Sequence, residues 1–192
     1  MMAIEQRTKG STLRSSLEFV SGEHGPEVAE RALARLDPAD RSGVEEAELT
    51  SEVPFDLLRR SWEAIDAELA ASDPDWIERA GAHSIRSTGV QLYGGIMKKS
   101  SPLEFLTQRV SLFRLYYQPG NMEVVDSGPT SATLRLVGFD PITPLFCRRQ
   151  TGGLGEVIAM AGGTGIRCEH VRCALEGDAF CEWSLEWRMP SS

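Results

Sequence analysis

From residue 180 to residue 187 the chain alternates strictly. Cys181, Trp183, Leu185 and Trp187 point one way, and Phe180, Glu182, Ser184 and Glu186 the other. A period of two with one large apolar face is the pattern of a strand buried on one side. A partner strand reads from Ile166 to Cys173, and Glu176-Gly177-Asp178 supplies the turn between them. Cys181 falls at the turn end, where Cys173 can approach it across the hairpin. Just upstream, Leu154, Val157, Ile158 and Ala161 recur at helical spacing. Gly152 and Gly153 read as the tight entry to this helix, and Gly162 and Gly163 as its left-handed exit. Two tryptophans on one strand face need helices to cover them, so the hairpin constrains everything before it.

The preceding segments supply those helices. Pro54 to Ala71 carries an apolar stripe of Leu58, Trp62, Ile65 and Leu69. Ser72 or Asp73 with Pro74 opens a second helix, expected from Asp75 to Met97, with Ile77, Gly81, Ser84 and Thr88 along one line. Small residues in a line permit a tight helix–helix contact or leave room for a ligand. Ser101-Pro-Leu-Glu104 is a capping box that starts a third helix carrying Leu103, Leu106, Val110, Phe113 and Tyr117, ended by Pro119-Gly120. Strands are expected at Met122–Asp126 and Ser131–Val137, with Pro141 and Pro144 linking onward to Cys147. Helices followed by β-β-α-β-β argue for an α+β fold, an antiparallel sheet with helices packed on it. Residues 1–16 read as loosely ordered, Glu27–Leu36 as a short helix and 37–52 as an acidic loop. The division is therefore an N-terminal appendage, 1–52, and a domain, 53–188.

Composition narrows the function. A net charge of −8 disfavours nucleic acid and anionic membranes, which need a cationic surface. No apolar run reaches spanning length, and the first nine residues are too polar for a secretion signal, so a cytoplasmic protein is expected. Three of the four cysteines lie within 168–181. In a reducing compartment such a cluster binds metal or simply packs. No H-E-x-x-H, H-x-E or G-x-S-x-G arrangement occurs, and His24, His83 and His170 are the sole histidines to serve as a base, so an enzyme is disfavoured. Thr151-Gly-Gly-Leu-Gly155 lacks the lysine of a phosphate loop and reads as chain reversal.

Cys147, the run TGGLGEVIAMAGG and the run HVRCALEGDAFCEW together resemble the closing signature of 4-vinyl reductase-like domains, specifically over 143–187. In length and Trp-ended final strand the chain is also similar to a myxobacterial paralogous family of unestablished function. The resemblance implies a dimeric, small-molecule-binding module that shares a fold with haem-type nitric oxide sensors and Golgi-tethering subunits. The sequence carries no recognisable output domain, so its signal is expected to pass to a separate output protein. It also implies an apolar pocket between helices and sheet for an apolar or aromatic ligand, for which Trp76, His83, Phe105, Phe113 and Tyr117 are the candidates. The Tyr-x-Ser-x-Arg pattern of the haem sensors is absent, so haem is disfavoured. Zinc-binding relatives imply a site at Cys147, Cys173 and Cys181, with His170 where those relatives carry an acidic ligand. In a regular strand His170 and Cys173 face opposite sides, so this set needs a bulge between them. Glu169 and Cys168 are the alternatives for the fourth position. Packed thiols or a Cys173–Cys181 disulfide remain the competing readings. A scaffold protein that has filled its pocket is the second functional expectation.

Overall fold

The structure is a computed structural model that describes residues 5–89 and 101–189. It is an α+β fold. Strand β1 (Arg7–Lys9) runs antiparallel between β2 (Glu52–Pro54) and β3 (Tyr117–Gln118). The main sheet is antiparallel in the order β4-β5-β7-β6, from β4 (Asn121–Gly128), β5 (Ser131–Val137), β6 (Thr164–Arg172) and β7 (Glu182–Arg188). The expected alternation of β7 is realised: Cys181, Trp183, Leu185 and Trp187 are all buried.

The helices are α1 (Gly10–His24), α2 (Pro26–Leu33), α3 (Pro38–Glu46), α4 (Phe55–Leu69), α5 (Trp76–Ser84), α6 (Pro102–Ser111), α7 (Phe113–Tyr116) and α8 (Pro144–Met160). In α4 the predicted stripe of Leu58, Trp62, Ile65 and Leu69 is buried. The capping box holds for α6, where Ser101 Oγ accepts the Glu104 N–H at 3.2 Å, but the helix expected to run through Tyr117 breaks at Leu112, resumes as α7 and ends at Tyr116, with Tyr117 in β3. Helix α5 passes into a π-helical turn, Ile85–Gly89, and the part expected over 90–97 lies outside the described residues. Neither Ser72 nor Asp73 caps it; Asp73 instead takes His24 and Arg79.

Three expectations are corrected. The polar N-terminus is not loose, because Gly10–His24 is helix α1 and buries Leu13, Phe19 and Val20 in the same core as the sheet. Two of its buried serines are satisfied within the helix: Ser15 and Ser16 Oγ donate to the Thr12 carbonyl at 3.1 and 2.9 Å. The acidic stretch 37–52 is not one loop. Asp37 accepts the Asp40 N–H at 2.8 Å and caps α3, with Pro38 at its first position. From β1 onward the segment expected as an appendage therefore shares its sheet and core with the rest.

The third correction shapes the site. Helix α8 does not start at Gly152-Gly153 but at Pro144, capped by Thr143 Oγ1, and runs straight through both glycines. Their reason is proximity, not reversal. A Cβ on Gly152 would collide with the Glu78 carbonyl, and one on Gly81 with the Arg149 carbonyl. Backbones of α5 and α8 thus touch, which side chains would forbid, and Arg148 ties them further through Glu78 at 2.9 Å. The predicted exit is present, with Gly162 at φ +90°. Gly152→Ala is expected to lower stability by about 3 kcal/mol through overpacking, whereas Gly22→Ala, where nothing lies within 4 Å, should be neutral or slightly stabilising. Urea unfolding midpoints of the two variants check this.

Candidate functional site

Two features flank α8. At its N-terminal turn, Cys147, His170, Cys173 and Cys181 place their ligand atoms within 4.8 Å of one another. Cys147 comes from α8, His170 from β6, and Cys173 and Cys181 from the two ends of the hairpin turn. That turn is closed by Asp178, whose Oδ2 accepts the Cys173 N–H at 2.8 Å, and by Gly177 at φ +99°. The parity difficulty is resolved by the chain itself. His170 pairs with Trp183 and Arg172 with Glu182, so Val171 is bulged out and His170 joins the cysteine side. The imidazole stacks on Trp183 at 4.6 Å, and its Nε2 is buried without a hydrogen-bond partner. Of the alternatives, Glu169 is turned out to Arg167, and Cys168 faces α8 near Gly155.

All four cysteines are free thiols. Sγ of Cys147 and Cys181 are 3.8 Å apart. Two sulfurs bound to one tetrahedral zinc at 2.3 Å stand about 3.8 Å apart, so the pair already has that edge length. Their shared hydrogen bond splits their acidities. Cys147 is pushed up by that bond and then by burial. Cys181 is drawn down by the same bond, then by His170 and the Ala174 N–H, against burial. Cys168, outside the cluster, is pushed up to about 12 by burial. The cluster therefore favours one thiolate, as a cation site requires.

The second feature is a partly enclosed cavity of about 80 Å³ between α1, α5, α6, α7, β4 and the middle of α8. Val110, Phe113, Met122, Leu154 and Val157 form its apolar wall, and Thr12, Ser84, Tyr117, Arg109 and Arg149 contribute polar groups. Among the described residues, no His, Cys, Asp or Glu lines it. Of the pocket residues expected from sequence, Phe113 and Tyr117 reach this cavity. Phe105 and Trp76 are packed in the core, and Trp76 Nε1 donates to Asp66 Oδ1 at 2.8 Å. His83 lies against Phe19 at 5.7 Å and is not among the residues that line the cavity. Gly81 and Ser84, from the small-residue line, serve both readings: they abut α8 and line the cavity. Arg149 and Arg109 escaped sequence reasoning, because an arginine in a helix ordinarily faces water.

Solved structures share this fold. The chain is similar to an H-NOX protein from K. algicida in its unliganded Fe(II) form, with TM-score 0.72, 14% identity and coverage of 96% of this chain and 98% of that one. It is also similar to an H-NOX protein from S. oneidensis in the Fe(II)NO ligation state, with TM-score 0.69, 16% identity and coverage of 94% and 99%. A mutant of T. Tengcongensis H-NOX gives TM-score 0.67, 13% identity and coverage of 96% and 100%. No protein-family model and no curated protein sequence matches the chain.

These neighbours imply haem, which the residues here do not fit. The cavity is far smaller than the 300–1,000 Å³ usual for drug-sized ligands, and a porphyrin is larger still. His24 is bonded to Asp73, His83 sits on Phe19 and His170 stacks on Trp183, so no histidine reaches the cavity as an axial ligand.

The split acidity fixes a pH signature for the metal-free protein. A depressed thiol stabilises the fold above its unfolded value and loses that contribution as pH falls through its folded one. For Cys181 the window runs from the ordinary 9.0 down to about 4. Cys147 is raised, so it stays neutral below 9.0 and opposes folding above that value. Stability should rise between about pH 4 and 9 and fall beyond, and Cys181→Ser should flatten the rise. Urea midpoints of apoprotein across that range are the check.

Proposed function

We propose that this chain is a non-enzymatic small-molecule-binding module of the sensor kind, with the α1–α5–α6–α8 cavity as its ligand site and a structural zinc at Cys147, His170, Cys173 and Cys181. One observation carries the reading: a cavity with an apolar wall and convergent polar groups, with no His, Cys, Asp or Glu among the described lining. Such a site can hold and orient a molecule, and it lacks the imidazole or carboxylate that most often moves a proton at neutral pH. The fold neighbours include an H-NOX protein solved with NO on Fe(II), which supports ligand sensing as a use of this scaffold.

Zinc would act as a clamp. Three thiolates and one imidazole make a closed tetrahedral set with no open position, the arrangement of structural rather than catalytic sites. It would fasten the first turn of α8 to the β6–β7 hairpin, leaving the cavity-lining middle of the helix as the part a ligand can bias. A homodimer in the cytoplasm, signalling through a separate output protein, completes the proposal. Among the described residues no helix is long and apolar enough to cross a membrane. The modest volume of the cavity supports a second reading, a scaffold whose pocket has filled.

Native mass spectrometry of protein purified without chelator tests the zinc. One zinc per chain is expected, lost in Cys147→Ser and Cys181→Ser, kept in Cys168→Ser, and released on acidification as thiolates protonate. A metal-free wild type would remove the clamp. Thermal shift with toluene and phenol tests the cavity. Stabilisation of about 2 kcal/mol is expected at concentrations well above Kd, and no shift with either compound would favour the scaffold.

A further inference from the structure

Among the described residues, Arg149 is the one charged residue that is buried, at 4% exposure. Its surroundings are mapped by two contacts and one orphaned donor. Nη2 donates to Ser15 Oγ at 3.2 Å, the guanidinium carbon sits 5.5 Å from the Trp62 ring centre, and Nη1 has no hydrogen-bond partner. Burial pulls its pKa down, with Tyr117 opposing. A guanidinium nevertheless stays ionised in a protein. A buried ion without a counter-ion is strongly unfavourable, and chains normally answer it with a carboxylate.

This chain offers none. No Asp or Glu pairs with Arg149 among the described residues, and residues 1–4, 90–100 and 190–192 contain neither residue type. Arg109 reaches the same cavity from α6, and its Nη1 is also buried without a partner. Its guanidinium lies 5.5 Å from the Tyr116 ring centre, and it too has no acidic partner among the described residues. Two unanswered cations therefore face a cavity whose other wall is Val110, Phe113, Met122, Leu154 and Val157.

We propose that the ligand is a small organic carboxylate with an apolar body, aromatic or branched aliphatic, its anionic head held by Arg149 and Arg109 and its body against the α6–α8 wall. The inference rests on the small-molecule-binding reading and names the ligand's chemistry. Arg149 presents a planar fork that matches a carboxylate with two parallel donors, geometry that neither a hydroxyl nor water reproduces. The cavity of about 80 Å³ sets the scale: a single ring or a short branched chain, not a long acyl tail. Because Arg149 sits on α8 two residues beyond Cys147, ligand charge and the cysteine cluster act on the same helix.

Calorimetric titration of the full chain with benzoate, isobutyrate, toluene and benzyl alcohol tests this, alongside Arg149→Met and Arg149→Lys. Wild-type protein should bind benzoate at least about 30-fold more tightly than toluene. Arg149→Met should lose benzoate by about that factor while keeping toluene, and Arg149→Lys should fall between. Ligand-free Arg149→Met should also melt higher than wild type, because it removes an uncompensated buried charge. Benzoate binding no tighter than toluene, or equally well in Arg149→Met, overturns the proposal while leaving a neutral-ligand module standing. Failure of all four compounds overturns both it and the binding reading. A ligand-free Arg149→Met that melts lower, with no benzoate effect in wild type, would make Arg149 a structural group and overturn it likewise.

Discussion

The rest of the structure depends on a contact between two backbones. Helix α8 lies on α5 so closely that Gly81 meets the Arg149 carbonyl and Gly152 meets the Glu78 carbonyl, with no room for a Cβ on either side. That approach fixes the rotation of α8 and forces the Arg149 side chain inward instead of into water. It also leaves the space between α5 and α6 that becomes the cavity. One helix then carries a cysteine at its first turn, a buried cation one half-turn on, and the apolar floor of the cavity beyond.

The hairpin holds the other end of this arrangement. The bulge at Val171 reverses the facing of β6 just before Cys173, so an imidazole and three thiols meet under the stacked Trp183. A straight β6 would send His170 to the opposite side. Trp183 is held in turn by α8, since its Nε1 donates to Thr151 Oγ1 at 3.0 Å. The cluster and the core are therefore built from the same two elements, and a cation there would rigidify both.

Much of this was legible in the residues. The period of two in Cys181 to Trp187 gave β7 and its buried face, and the stripe of Leu58 to Leu69 gave α4, because apolar spacing reports burial directly. The α+β class and the need for a bulge followed from the same patterns. Other features were hidden for physical reasons. A buried face made of Ser11, Thr12, Ser15 and Ser16 carries no hydrophobic signal, so α1 read as loose. Gly152-Gly153 has the same letters whether a chain turns or two helices touch, and only the partner at Glu78 decides. Asp37-Pro38 both ends and begins helices. Arg149 is the hardest case: its meaning lies in the carboxylate that is not beside it, which no local pattern records.

The fold is shared with H-NOX structures, while the residues inside do not fit haem. Histidines are spent on Asp73, Phe19 and Trp183, and the space under α6 is small, apolar and positively charged. The most direct test of the central claim is a methyl NMR titration of the protein with toluene. Shifts concentrated at Val110, Met122, Leu154 and Val157, with Val44 and Val137 unmoved, are what this account predicts. Shifts spread over the surface, or none at those four methyl-bearing residues, would contradict it.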